Sequence, residues 1–258
     1  MTQTRSSLKA QFDLDGRVAI VTGGSRGIGL AMAEALGACG VSVAISSRKA
    51  EACDAAVARI EAAGGRAISV PGNMGDLDDV TVLVAATVEA FGGIDMVVNN
   101  AANALAQPIG SISAEAWEKT QAVNERGPLF LVQEALPYLI ASPHASVLNV
   151  VSVGVFTSGA GLAMYTAAKA GLLMLTRSMA AELARHDIRV NALAPGAVDT
   201  DMMRANPEEA VEYMRAGSLM RRLAEPDEMV GPALFLLSDM ASFVTGSVLV
   251  ADGGMTFH

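Results

Sequence analysis

This 258-residue sequence has only two cysteines and few long apolar runs. The only cysteines are Cys39 and Cys53, which show no metal-ligand spacing, so we expect two buried thiols and no disulfide framework. Neither terminus carries the uncharged run of about 20 residues that a membrane helix needs. The sequence therefore predicts a soluble protein without a membrane partner.

The amino terminus also lacks the apolar block of a secretory signal. Arg5 and Lys9 are present, but no hydrophobic segment follows them. We therefore predict that residues 1–14 form a flexible lead-in and that the protein is cytoplasmic.

Positive charge is scarce as well. The net charge is −9, and the sequence has no dense basic cluster, which argues against a nucleic-acid partner. Its three histidines, His144, His186 and His258, are scattered and share no ligand spacing with cysteines or carboxylates, so we expect no metal site. A small molecule is the partner that this composition favours.

What the sequence does contain is a repeated alternation of short β-branched runs with longer stretches at helical spacing. Predicted strands cover residues 18–21, 41–46, 67–70, 96–99, 146–151, 189–193 and 247–250. Predicted helices cover residues 27–39, 49–63, 77–91, 114–140, 165–186, 207–220 and 225–237. This alternation predicts a single α/β domain over residues 1–258, built on a doubly wound parallel sheet.

A glycine-rich turn follows the first predicted strand. It reads Thr22-Gly23-Gly24-Ser25-Arg26-Gly27-Ile28-Gly29, and a helix begins within it. Glycines allow a pyrophosphate to come close to backbone amides at a helix N-terminus. The turn therefore indicates dinucleotide binding.

The end of the second predicted strand bears on which dinucleotide is bound. A free ribose 2′-hydroxyl is usually met there by a carboxylate, whereas this chain reads Ser46-Ser47-Arg48-Lys49. Arg48 could clasp a 2′-phosphate, and Arg26 could add a second charged contact. Together they favour NADP(H).

Tyr165 and Lys169 lie four residues apart in a predicted helix, so they share one face. A cation about 4 Å from a phenol, at an effective dielectric of about 20, contributes roughly 4 kcal/mol, which is more than two pKa units. Such a pair would bring the tyrosine towards working pH, where it can act as a general acid or base.

With these residues in place, the sequence from about residue 17 to residue 258 resembles the classical short-chain dehydrogenase/reductase family. The resemblance rests on the turn Thr22 to Gly29 and on these ordered motifs: Asn99-Asn100-Ala101-Ala102, Asn124, Ser152, Tyr165, Lys169, Pro195-Gly196, Thr200 and Asp252-Gly253-Gly254. It implies a Rossmann-type doubly wound sheet of about seven parallel strands with helices on both faces. It also implies an NADP(H)-dependent oxidoreductase acting on a ketone or secondary alcohol.

The resemblance assigns roles to individual residues. Tyr165 would be the general acid in reduction, and Ser152 would hydrogen-bond the substrate oxygen. Lys169 would hold the nicotinamide ribose and lower the pKa of Tyr165. Asn124 would anchor a water in a proton relay, with a nearby carbonyl freed by the helix disturbance at Gly127-Pro128. The implied cofactor contacts are Gly23, Ser25, Arg26, Gly27, Ile28, Gly29, Ser47, Arg48, Asn73, Met74, Asn100, Ala101, Ala102, Tyr165, Lys169, Pro195, Gly196, Val198 and Thr200.

Departures from the family pattern keep alternatives open. Ala102 replaces a usual glycine, which is a mild change. Residues 129–148 contain no Lys or Arg, so a 3-oxoacyl-acyl-carrier-protein reductase ranks below an enzyme for free ketones. An enoyl reductase would use a wider tyrosine-to-lysine spacing. An NAD-dependent alcohol dehydrogenase and a non-catalytic dinucleotide-binding protein are the remaining alternatives.

The family also varies the segment after Thr200 into a substrate lid, which we expect at about residues 200–224. Its Met202, Tyr213 and Met220 predict an apolar, promiscuous carbonyl pocket. The resemblance further implies a homotetramer, with a homodimer as the alternative. The two long central helices and the last strand would form its interfaces.

Overall fold

The fold is built on one parallel sheet, seen in a computed structural model that describes residues 4–157 and 159–257. The strands lie in the order β3-β2-β1-β4-β5-β6-β7, and every pairing is parallel. Their bounds are β1 Val18–Thr22, β2 Ser42–Ser46, β3 Arg66–Ser69, β4 Met96–Asn99, β5 Ser146–Val150, β6 Arg189–Pro195 and β7 Val248–Ala251. The predicted doubly wound sheet of seven strands is confirmed.

Helices cover both faces of this sheet. Their bounds are α1 Arg5–Gln11, α2 Gly27–Ala38, α3 Ala50–Ala62, α4 Leu77–Phe91, α5 Ala114–Gln121, α6 Gly127–Ala141, α7 Ala163–Leu183, α8 Asp201–Arg204, α9 Glu208–Gly217 and α10 Val230–Leu237. None of the helices in residues 4–157 and 159–257 is both long enough and apolar enough to cross a membrane.

Alternation along each strand divides the apolar core into two layers. In β1, Ala19 and Val21 pack in one cluster with residues of α2, α3 and α10. Ile20, between them, packs in the other cluster with residues of α4, α6 and α7. Strands covered on both faces need apolar residues throughout, which is why they read as continuous hydrophobic runs.

The helix predicted over residues 114–140 is interrupted. A π-helical turn over Ala122–Arg126 separates α5 from α6. Pro128, at the start of α6, lacks a backbone N–H and cannot donate the helical hydrogen bond to the turn before it, and Gly127 packs so closely on the Met74 carbonyl that a Cβ would collide with it. A π turn of this kind inside a helix is frequently found at functional sites.

Part of the expected lead-in over residues 1–14 is helical. Thr4 and Ser7 form a capping box that starts α1, and Leu14 is buried in the core. Side-chain caps satisfy the first amides of a helix, and the sequence prediction overlooked them because no apolar periodicity accompanies the helix. Residues 1–3 of the predicted lead-in lie outside the described residues.

Candidate active site

All the predicted site residues lie at or beyond the carboxyl ends of the strands or in the helices that pack there. The strand order reverses between β1 and β4, because β2 and β3 lie on one side of β1 and the later strands on the other. A reversal of this kind opens a crevice at the carboxyl edge of a parallel sheet, where ligands of such sheets bind.

The glycine turn joins β1 to α2 at this crevice. Gly23 has a φ of +64°, and a Cβ there would lie 2.8 Å from Asn100 Nδ2 and 2.9 Å from the Ala101 Cα. Only glycine fits such a position. No side chain caps the N-terminus of α2, so its first N–H groups stay available for an anionic ligand.

Thr22 organises this edge, although the sequence interpretation gave it no site role. Its Oγ1 accepts hydrogen bonds from the backbone N–H groups of Asn100 (3.0 Å) and Ala101 (3.1 Å) and donates to the Val98 carbonyl at 3.2 Å. Asn100 Nδ2 donates back to the carbonyls of Thr22 and Gly23. The loops after β1 and β4 are therefore fixed to each other, and the position of Thr22 at the start of the glycine motif was the available signal.

Polar side chains line the ends of β1 and β2. The hydroxyls of Ser25 and Ser47 are 2.7 Å apart, and the Cys53 sulfur lies 3.1 Å from that of Ser47. Arg48 is exposed, with no ion pair to any residue that the structure describes. Arg26 is also exposed, and its guanidinium lies 3.8 Å from the Asp201 carboxylate. Both predicted arginines thus reach solvent beside the crevice.

Asn73 and Met74, the two cofactor-contact residues predicted after β3, differ in how exposed their side chains are. Asn73 is exposed, and its Oδ1 accepts a hydrogen bond from the Gly75 N–H. Met74 is buried, with its side chain in the core that includes α4 and α6. A cofactor contact by Met74 would therefore have to use its backbone.

Asn124 lies in the π turn and is fully buried. Its Oδ1 accepts from the Asn103 N–H, and its Nδ2 donates to the Asn103 carbonyl, both at 2.7 Å. The side chain is therefore committed to holding the loop after β4. This contact was not predicted, because sequence spacing says nothing about residues 21 positions apart.

Ser152 and Tyr165 come together after β5 and in the first turn of α7. Ser152 accepts a hydrogen bond from the Gly154 N–H through its Oγ, and its hydroxyl lies near enough to the Tyr165 hydroxyl to influence the pKa of that group. Burial raises the pKa of Tyr165, while the Ser152 hydroxyl acts to lower it. The two hydroxyls thus form a pair that can meet one substrate oxygen.

Lys169 lies one helix turn from Tyr165, and its head group is buried. It is 1% exposed, and its Nζ donates to the Val150 carbonyl at 2.6 Å. Burial lowers the pKa of Lys169 to about 8 and raises the pKa of Tyr165. Helical spacing places both residues on one face but does not fix where the lysine head group points, and β5 offers it a carbonyl.

The segment after β6 closes the crevice on the other side. Gly196 donates its N–H to the Ala251 carbonyl, and a Cβ on it would lie 2.7 Å from the Asp252 Cα. Val198 is buried and bridges to Ala224, so a ligand contact there would be through its backbone. Thr200 caps α8, and a Cβ added to Gly27 would contact the Thr200 side chain.

The Asp252-Gly253-Gly254 turn supports the far end of the predicted lid. Both Ser218 Oγ and the Met220 N–H donate to the Gly253 carbonyl, at 3.0 and 3.1 Å. Asp252 accepts hydrogen bonds from Gly254 and Thr256, which lower the pKa of its carboxyl group. The sequence marked this turn as a motif without indicating that it anchors the lid.

These residues fit a nicotinamide dinucleotide. The uncapped N-terminus of α2 can meet a pyrophosphate, and its approach is clear because Gly27 and Gly29 carry no side chains. None of the residues Ser46 to Lys49 at the end of β2 is acidic, and two exposed arginines lie near its end. The Ser152 and Tyr165 hydroxyls can then polarise a carbonyl at the same edge.

Comparisons with known proteins agree with this geometry. A family model described as Enoyl-(Acyl carrier protein) reductase matches residues 23–256. L-rhamnose 1-dehydrogenase (NAD(P)(+)) of Sphingomonas sp. (strain SKA58) is 38% identical over 249 residues, covering 94% of this chain and 97% of the relative. 2,5-Dichloro-2,5-cyclohexadiene-1,4-diol dehydrogenase of Sphingobium indicum is 40% identical, with 95% and 98% covered. The crystal structure of a dehydrogenase/reductase from Sinorhizobium meliloti 1021 superposes with a TM-score of 0.92 at 33% identity, covering 97% and 99%.

Proposed function

The chain belongs to the short-chain dehydrogenase/reductase family, and from this premise we propose that it transfers a hydride between NADP(H) and a ketone or secondary alcohol, favouring carbonyl reduction. The observation that carries the proposal is the proximity of the Ser152 and Tyr165 hydroxyls, one helix turn from the buried Lys169. The relatives support an oxidoreductase, and the finer assignment rests on this chain's own residues.

In this mechanism the protein positions the carbonyl and handles one proton. NADPH, held at the glycine turn and by Arg48, would supply the hydride for the carbonyl carbon. Ser152 donates a hydrogen bond to the carbonyl oxygen, and Tyr165 gives its phenolic proton to the same oxygen, which completes the secondary alcohol. Lys169 stabilises the phenolate that is left, and the carbonyls of the π turn at Asn124 are suited to bind water for reprotonation.

Charge supports NADP(H) as the cofactor. A 2′-phosphate near the end of β2 would meet the exposed guanidinium of Arg48 and no carboxylate from the four residues Ser46 to Lys49. Arg26 could add a contact, although Asp201 at 3.8 Å competes for it. Arg48 is therefore the main determinant that we propose.

The rival activities differ from this proposal in testable ways. An NAD-dependent alcohol dehydrogenase would not need Arg48. A 3-oxoacyl-acyl-carrier-protein reductase would need basic residues on the central helices, and residues 129–148 have none. The four-residue Tyr165–Lys169 spacing argues against the enoyl reductase named by the family model. A non-catalytic dinucleotide-binding protein would have no use for the Ser152–Tyr165 pair.

We further propose that the protein works as a cytoplasmic homotetramer, with a homodimer as the alternative. Apolar side chains are exposed where the interfaces are expected. Ile140 of α6 and Met174 of α7 are 45% and 56% exposed, and Phe243 before β7 is fully exposed. Burying such side chains against a second copy is favourable.

Cofactor titration tests the proposal. NADPH and NADH binding would be measured by fluorescence in the unchanged protein, in Arg48→Ala and, as the matched control, in Lys49→Ala. We expect NADPH to bind more tightly than NADH, and the NADPH Kd to rise about tenfold or more in Arg48→Ala alone, as for a lost charged hydrogen bond. Equal or tighter NADH binding would instead move NAD-dependent alcohol oxidation to first place.

A further inference from the structure

The loop after β4 runs between two of the proposed catalytic residues. Asn124 holds it at Asn103 through both backbone groups. Four residues later, the Gln107 N–H donates to the Gly161 carbonyl at 3.0 Å, and Gly161 lies four residues before Tyr165. Gln107 is therefore fixed to the segment that leads into the catalytic helix α7.

Polarity in this loop is reversed relative to ordinary surface loops. Leu105 is 36% exposed and Ile109 is 87% exposed, whereas Gln107 lies between them with its Oε1 buried. Apolar side chains are normally turned inward and amides outward. A buried amide oxygen on the loop that joins Asn103 to the segment before α7 is thus a feature that needs a physical explanation.

The buried Gln107 Oε1 accepts no hydrogen bond from any residue that the structure describes. An unpaired buried polar group is costly, and most such groups in native proteins bind water, an ion or a ligand. The backbone of Gln107 is meanwhile well held, so the amide is presented in a fixed place. A pre-positioned, unpaired amide is what recognition of a second polar group would require.

We propose that Gln107 is a specificity-determining residue that hydrogen-bonds a second oxygen of the substrate, a few atoms away from the reacting carbonyl. The carboxamide carries both a hydrogen-bond donor and an acceptor, so it can either donate a hydrogen bond to a hydroxyl oxygen or accept one from the hydroxyl proton. The substrate class is then a hydroxyketone, and its product a diol. This inference rests on the proposed carbonyl reduction and adds the class of compound reduced.

The surroundings restrict the rest of the substrate. Phe156 and Leu162, in the segment around Gly161 that Gln107 contacts, are 48% and 37% exposed. Leu105, in the same loop as Gln107, is 36% exposed. Apolar walls favour a carbon frame with few other polar groups. A ring that carries one carbonyl and one hydroxyl could hydrogen-bond to the Gln107 amide and pack against the apolar side chains.

The test compares three ketones of one ring size: cyclohexanone, 2-hydroxycyclohexanone and 4-hydroxycyclohexanone. We expect kcat/KM for one of the hydroxyketones to exceed that for cyclohexanone by about tenfold or more. In Gln107→Leu the ratio should fall to about one, mainly through KM, with cyclohexanone reduction within about twofold of the unchanged protein. Gln133→Leu, at an exposed position on α6, makes the same chemical change and should leave the ratio intact.

A second readout separates this inference from the proposed function. The affinities of cyclohexanol and the cyclohexanediols for the protein saturated with NADP would be measured by calorimetry, in the same variants. A diol preference lost in Gln107→Leu without any ketone turnover would support the amide's role and overturn the reductase proposal. Ketone turnover with no hydroxyl preference, or a preference that survives Gln107→Leu, would overturn the inference alone. If Gln107→Leu fails to fold, Gln107→Met makes the same test with a side chain of similar length.

Discussion

The catalytic shelf and the lid are held by very different amounts of packing. We use "catalytic shelf" for Thr22, Asn124, Ser152, Tyr165 and Lys169 with the loops they hold, and "lid" for residues 200–224. In the catalytic shelf, Asn124 and Lys169 are 0% and 1% exposed and bonded to backbone groups. In the lid, none of the ten residues described in α9 is buried.

This difference separates chemistry from selectivity. A proton donor must be held within a fraction of an ångström, and buried hydrogen bonds provide that precision. A surface that adapts to substrates needs the opposite, and the lid is held mainly at its ends, by Thr200 and by the Gly253 carbonyl. Substitutions in the two regions should therefore have separable consequences, which the following predictions test in order of decreasing effect.

The largest effect should come from removing one oxygen in the catalytic shelf. Tyr165→Phe takes away the proposed proton donor and keeps the ring, so we expect kcat to fall by about a thousandfold. Cofactor affinity and the free energy of unfolding should change little. Steady-state kinetics, NADPH titration and urea denaturation measure the three quantities.

Tyr138→Phe is the matched control, because it makes the same change on the partly buried face of α6. It should keep full turnover. Turnover of Tyr165→Phe within tenfold of the unchanged protein would refute the catalytic assignment while leaving the fold untouched.

The second prediction concerns the free energy that burying the Lys169 ammonium costs the folded protein. Since burial lowers the pKa of Lys169 from 10.5 to about 8, the unfolded chain holds this proton more tightly than the folded protein. The contribution of Lys169 to stability therefore rises with pH between about 8 and 10.5 and is lost as the pH falls through 8. From pH 7.5 to 9.5 the rise should be about 2 kcal/mol.

Lys169→Met should remove that rise. Urea denaturation of both proteins at the two pH values gives the difference, in which the other titrating groups cancel to first order. Lys119→Met, at an exposed position on α5, should keep the rise. An unchanged pH dependence in Lys169→Met would mean that the lysine is solvated in the folded protein.

Most of the fold was predictable because its signals are local. The central strands are mostly apolar runs covered on both faces, the edge strands β3 and β7 are partly exposed, and the seven strands appear where the sequence predicted them. Two features were not fully predicted. The π turn precedes Pro128, where the sequence indicated a helix disturbance but not its form, and α1 is a short helix that begins at a local capping box without apolar periodicity.

The site was predictable in membership but not in its contacts. Motifs identified Ser152, Tyr165 and Lys169, and the structure brings them to one sheet edge. Spacing could not indicate that Lys169 would bond to the Val150 carbonyl, nor that Asn124 would hold Asn103. Such contacts depend on side-chain direction across elements distant in sequence, which no single-sequence pattern encodes.

The smallest effect on stability should come from the lid. Tyr213 is 81% exposed on α9, so Tyr213→Ser removes little buried surface, and the free energy of unfolding should change by less than about 0.5 kcal/mol. If the lid closes over substrate, however, KM for an apolar ketone should rise a few-fold while kcat and the NADPH Kd stay constant, because only an apolar wall has been lost. A kcat that falls with KM unchanged would place Tyr213 in the reacting geometry, and a loss of stability above 1 kcal/mol would show that α9 is packed as firmly as the catalytic shelf. Either result would remove the contrast between the two regions.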